Sequence, residues 1–135
     1  MFRRLEKEKL RTKNKIDWEY FTFEYKNKEI KINIQDAYPF KAPILLVHDK
    51  DHIDWFLKEY RKLNIFLNKF SITNKCICCD TLICRWIPTY TIDQVVDEYK
   101  LYYDKYEFIK TIQMFYKKEL FDDLIYQSIF LYIDI

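Results

Sequence analysis

Apolar positions in this chain change period several times, and each change predicts a different element. Residues 2–13 (FRRLEKEKLRTK) are strong helix formers with Phe2, Leu5 and Leu10 as the only apolar anchors, which predicts an amphipathic helix. Residues 17–25 (DWEYFTFEY) then alternate at period two, with Phe21, Phe23 and Tyr25 on one face. Residues 28–34 (KEIKINI) alternate likewise, with Ile30, Ile32 and Ile34 together. Lys26-Asn27 between them is the residue type of a tight hairpin turn. Tyr38-Pro39-Phe40-Lys41-Ala42-Pro43 follows, its two prolines keeping the linker extended, and ILLV (44–47) is an apolar strand.

The period returns to 3.6 in the second half. Ile53, Phe56, Leu57, Tyr60, Leu63 and Leu67 mark an amphipathic helix over 52–67. From Thr91 the pattern stays helical nearly to the end. Thr91 and Gln94 have the spacing of a capping box, and Ile92, Val95, Val96 and Tyr99 should face the core. Phe108, Ile109, Ile112, Phe115, Leu120, Leu124 and Ile125 continue that stripe. No Gly or Pro marks breaks in it, and the terminal SIFLYIDI fits a strand, a helix or an interaction tail.

The order of elements predicts an α+β fold in one domain spanning 1–135. Half the residues are apolar and a third charged, with a net charge of +2, so charge singles out no partner and no nucleic acid. No apolar run approaches the length of a membrane span, and the charged first helix does not read as a secretion signal. The four cysteines lie between positions 76 and 84, too close together to staple distant elements, which points to a reduced, cytoplasmic setting. Glycine is absent, so turns must use Asn and Asp. The richness in Phe, Tyr, Ile, Asn and Lys is that of an AT-rich genome, as in giant DNA viruses or some protists; a viral origin would place the protein in the host cytoplasm or the virion.

One segment carries candidate chemistry. Residues 77–92 read ICCDTLICRWIPTYTI. Ile77, Cys78, Asp80, Leu82, Trp86, Pro88, Thr91 and Ile92 match, without a gap, the active-site pattern of the ubiquitin-conjugating (UBC) family, which this segment resembles. The family also begins with a basic helix, runs an antiparallel meander and carries Y-P-F-K-P-P before its third strand; this chain has RRLEKE and YPFKAP in those places. The likeness covers roughly residues 1–106. It implies a UBC-like fold, and Cys78 as the residue that carries ubiquitin, or a ubiquitin-like modifier, as a thioester. It implies that Asp80, Trp86 and Pro88 support the segment. It also implies that Arg3, Arg4, Lys7 and Arg11 form a basic face for the activating enzyme, and that Pro39 and Phe40 lie near the surface offered to a ubiquitin ligase. No cofactor is implied.

Three departures stand beside the likeness. Tyr38 and Cys78 are 40 residues apart, longer than the family's usual separation, and the helix at 52–67 fills the difference. The family's last helices are compressed into 91–135. Its His-Pro-Asn tripeptide, whose Asn sits eight residues before the cysteine, is missing: that position is Phe70, and the nearby Asn68 and Asn74 have no His-Pro before them. Read as a set, Cys76, Cys78, Cys79 and Cys84 lack the paired knuckles of a tetrahedral zinc site, so no metal is expected. Without the resemblance, Cys78 reads as a small buried hydrophobe. Three functions follow: a conjugating enzyme, a catalytically inactive UBC-like binding domain, or a structural component such as a virion protein with assembly partners.

Overall fold

The computed structural model describes residues 2–68 and 81–117. It is α+β, with three helices and one four-stranded antiparallel sheet among those residues. In chain order these are α1 (Phe2–Arg11), β1 (Thr22–Tyr25), β2 (Lys28–Asn33), β3 (Ile44–Val47), β4 (Lys50–Asp51), α2 (His52–Asn68) and α3 (Ile92–Lys117). The sheet order is β1-β2-β3-β4, so every strand pairs with its sequence neighbour.

The meander follows from alternation and from turns made without glycine. In β2, Ile30 and Ile32 are fully buried while Glu29, Lys31 and Asn33 face out, the inside-outside pattern of a half-covered sheet. Lys26 and Asn27 both take positive φ, at 50° and 65°, as a two-residue hairpin turn requires. A second such turn, His48-Asp49 with φ of 52° and 62°, joins β3 to the short β4. That hairpin lacks an Asn-Gly signature and was not expected.

The expected strand over 17–25 is shorter than its alternation suggests. The Asp17 carboxylate accepts hydrogen bonds from the amides of Glu19 (3.0 Å) and Tyr20 (3.2 Å), which curls residues 18–21 into a turn. Phe21 ends that turn at φ 50°, and its ring meets the edge of Trp18 at 6.1 Å. Local side-chain bonding beats strand propensity here. Leu10, expected as an anchor of α1, is 85% exposed. It stands five residues from the half-buried Leu5, hence on a different face, and Glu8 closes the inner face instead.

The helix expected at 52–67 forms as α2, with Phe56, Tyr60, Leu63, Phe66 and Leu67 buried. It packs on β3, β4 and α3. α3 runs from Ile92 to Lys117 without a break. Its start is a reciprocal cap: the Gln94 amide donates to Thr91 Oγ1 at 3.2 Å, and the Thr91 amide to Gln94 Oε1 at 2.9 Å. Ile92, Val95, Val96, Tyr99, Ile109 and Ile112 are buried as their spacing predicts, whereas Phe115 is 40% exposed. The layer between α2 and α3 is aromatic, with Phe56, Tyr60, Tyr99, Tyr102 and Tyr106 meeting mostly edge to face or tilted. Leu120, Leu124, Ile125 and the terminal SIFLYIDI lie outside the described residues.

His52, the first residue of α2, is buried between the rings of Phe56 and Tyr99, each 5.9 Å away. Burial pushes its imidazole down to about 4, with Asp51 and the Leu45 backbone opposing only in part. The unfolded chain therefore takes up a proton near pH 6.5 that the folded chain refuses until about 4. Stability is full above the unfolded value and drains away as pH falls through that window. Denaturant unfolding should lose about 2 kcal/mol between pH 7 and 5 through this residue. In His52→Leu that loss should be absent, so parallel curves for the two proteins would refute the assignment.

Candidate functional site

Two stretches far apart in the chain, residues 38–43 and 81–92, are locked to each other and to α1. The lock is built around one carboxylate. Glu8, 6% exposed, accepts from the Tyr38 hydroxyl through Oε2 and from the Ile92 amide through Oε1 at 2.6 Å. Arg4, one turn earlier, donates Nε to Glu8 Oε2 at 3.2 Å and Nη2 to the Tyr90 carbonyl at 2.7 Å. A buried carboxylate must fill its acceptor sites to be tolerated, and these donors come from three separate segments. Burial, followed by the bond to Glu8, drives the Tyr38 hydroxyl far above its ordinary value, so Tyr38 is a fixed donor.

The second tie is Trp86. Its indole N–H donates to the Pro39 carbonyl at 2.7 Å, while its ring tilts on Tyr38 at 6.1 Å and meets Tyr90 edge-on at 5.7 Å. The Tyr38–Pro39 peptide is cis. Phe40 follows Pro39 and Ile87 follows Trp86 in the chain, and both flanking residues are exposed, Phe40 at 77% and Ile87 at 47%, as is Pro88.

A third tie holds the start of the segment. The Leu82 amide donates to both carboxylate oxygens of Glu98 on α3, at 3.1 and 3.0 Å. Burial raises the Glu98 carboxyl above the usual range, with the Leu82 amide and Arg85 pulling it back. Thr81 is buried, and its Oγ1 accepts from the Cys84 amide at 3.3 Å. At the other end, burial alone would raise Asp93. Bonds from the Thr12 hydroxyl (2.5 Å), the Asn14 side chain (2.6 Å) and the Asn14 amide (3.1 Å) outweigh it and hold the carboxyl low. The turn Thr81–Arg85 and the approach to α3 are thus fastened at both ends.

The expected site residues fall in three groups. Trp86 and Pro39 are brought together, and Phe40 and Pro88 flank them in the chain as exposed residues. Arg3, Lys7 and Arg11 lie exposed on α1, but Arg4 is drawn inward by Glu8 and Tyr90, so it is a structural tie rather than a member of a free basic face. Lys7 and Arg11 border a cavity of about 450 Å³ whose far wall includes Thr89 and Thr91. Asn68 is exposed at the end of α2. Cys76, Cys78, Cys79, Asp80, Asn74 and Phe70 lie outside the described residues, and Cys84 is an exposed free thiol. Among the described residues, no group of His, Cys, Asp and Glu could hold a metal ion, and no helix is long and apolar enough to cross a membrane.

Glu8 and Glu98 were missed from the sequence. The Arg4–Glu8 spacing of four on a helix was the available signal for the first; Glu98, which binds backbone 16 residues away, gave none.

No family model matches the chain, and no curated protein or solved structure matches it either.

If Trp86 is a clamp, Trp86→Phe should cost about 1–2 kcal/mol, since the Pro39 carbonyl loses its donor. Phe40→Ala should stay within about 0.5 kcal/mol of the parent, as exposed positions do. Urea midpoints measure both, and equal losses would overturn the distinction.

Proposed function

We propose that this chain is a ubiquitin-conjugating-enzyme-like protein that carries ubiquitin, or a ubiquitin-like modifier, as a thioester on Cys78. The observation that carries this reading is the Trp86–Pro39 clamp with its Glu8 anchor. The YPFKAP patch, the W-x-P-x-x-T-I patch and the basic first helix are three of the stretches that resemble the family, and they are tied to one another through Glu8, Tyr38 and Trp86. A chance likeness in sequence has no reason to converge so in space. The exposed Phe40, Ile87 and Pro88 beside that clamp suit the docking of a ligase, and Arg3, Lys7 and Arg11 suit an acidic surface of the activating enzyme.

The transfer needs little beyond the thiol. The Cys78 thiolate attacks the thioester carbon of a modifier held by the activating enzyme, whose own thiolate leaves, so bonds and charge balance. Onward transfer to a lysine is harder. The amine builds an oxyanion before Cys78 leaves as thiolate, and a donor that steadies such an oxyanion is worth about 10²–10³ in rate. The side chain of Phe70, at the position of the family's Asn, has no hydrogen-bond donor. The protein should therefore load readily, pass the modifier to a cysteine-type ligase, and discharge slowly to lysine.

Incubation with activating enzyme, ATP and ubiquitin, resolved on a non-reducing gel, should show a reductant-sensitive adduct that Cys78→Ala abolishes and Cys84→Ala keeps. Phe70→Asn should speed discharge to free lysine by about tenfold or more with loading unchanged. Fast lysine discharge by the parent would mean that Asn68 or Asn74 already supplies the donor. Failure to form any adduct would contradict the enzyme reading and place the chain among inactive UBC-like binding or structural proteins.

A further inference from the structure

The face where the first hairpin meets the start of α2 and the middle of α3 lies outside that transfer chemistry, and it combines an aromatic floor with two lysines. A cavity of about 340 Å³ opens there, lined by Lys28, Trp55, Tyr103, Tyr106, Lys110 and Met114 among others. That is near the lower end of the roughly 300–1,000 Å³ of small-molecule clefts, room for one compact ligand. Its floor is aromatic. The Trp55 ring lies nearly parallel to Tyr103, 6.4 Å away at 22°, and meets Tyr106 at 5.0 Å and 69°. Both tyrosines are buried and Trp55 is half-buried, so the indole is the most exposed of the three rings.

Two ammonium groups stand over this floor. Lys28 Nζ is 5.5 Å from the Trp55 centroid and 4.9 Å from Tyr103, and Lys110 Nζ is 5.6 Å from Tyr106. Neither has a carboxylate within salt-bridge distance among the described residues, whereas Glu107, the acid in the lining, is held by Lys26 at 2.7 Å. A cation–π contact made by a lysine that is itself half-buried, as Lys28 is, or exposed, as Lys110 is, is worth only about 1 kcal/mol, and a lysine stem swings freely. A planar ring could therefore slide onto Trp55 while the two lysines move outward to a phosphate.

The geometry points to a binding site for a single nucleotide, its base stacked on Trp55 and its phosphate held by Lys28 and Lys110. A cationic ligand is disfavoured, because it would have to displace two lysines. A nucleic-acid strand is disfavoured too: beside the pocket Lys26 is neutralised by Asp104 (2.8 Å) and Glu107, so a run of phosphates would meet carboxylates.

Titrating the full chain with adenosine monophosphate, followed by tryptophan fluorescence, tests this. Saturable quenching is expected, with adenosine alone and inorganic phosphate alone each binding more weakly. Lys28→Ala with Lys110→Ala should weaken binding by roughly tenfold or more, and Trp55→Phe should remove most of the quenching. The two lysines bury little, so an unchanged melting temperature checks that this double variant is folded. No saturable response at millimolar nucleotide would overturn the proposal. So would full affinity in the folded lysine variant, or tight binding of a deoxythymidine oligonucleotide that adenosine monophosphate cannot displace.

Discussion

A single buried carboxylate organises this molecule. Among the described side chains of α1, Glu8 alone is buried: Leu5 is half-buried and Leu10 is in solvent. An isolated ten-residue helix is marginal in water, so α1 needs tertiary anchoring. Glu8 provides it by ending in the Tyr38 hydroxyl, the Ile92 amide and the Arg4 guanidinium together. The Ile92 amide is the first of α3, a donor that the helix itself leaves unpaired. The carboxylate also sits where the positive end of the α3 dipole favours negative charge. One side chain thus joins α1, the linker before β3 and the start of the longest helix.

The convergence that supports the proposed function rests on that junction. Trp86 donates to the Pro39 carbonyl while its ring rests on Tyr38, which Glu8 holds, and Phe40 and Ile87, next in the chain to those two clamped residues, stay exposed. The aromatic layer between α2 and α3 stabilises a different region. It attaches the helix that lengthens the interval between YPFKAP and Cys78, with Tyr60 donating to the Tyr102 carbonyl at 2.6 Å. The nucleotide pocket lies at the outer rim of that layer, which separates it from the Glu8 junction both in sequence and in chemistry.

What could be read from the residues was what depended on period and on local bonding. The Lys26-Asn27 turn, the 52–67 helix and the Thr91–Gln94 cap all involve neighbours a few positions apart, and each formed as expected. Asp17 shows the limit: the same alternation that predicts a strand contained a carboxylate able to curl the chain, and the side chain won. The His48-Asp49 hairpin was hidden because two polar residues took on the turn that Asn-Gly would have announced. Glu8 and Glu98 were hidden for another reason. Apart from Arg4, the partners of Glu8 are 30 and 84 residues away and that of Glu98 is 16 away, and a helix-forming Glu looks the same in sequence whether it accepts from solvent or from a backbone amide. For the candidate site, the two motif patches were legible, but their convergence was not, since it runs through Glu8.

A double-mutant cycle on Glu8 and Tyr38 tests this dependence most directly. Glu8→Ala alone should cost about 2–3 kcal/mol, discounted from a fully buried pair because Arg4 is partly exposed. Tyr38→Phe removes the same hydroxyl contact from the other side. If Glu8 is the junction, unfolding free energies should show a coupling of about 1–2 kcal/mol, the double variant losing less than the sum of the single ones. Losses that add to within about 0.5 kcal/mol would mean that the two side chains act independently, and the junction at Glu8 would not be what holds the site together.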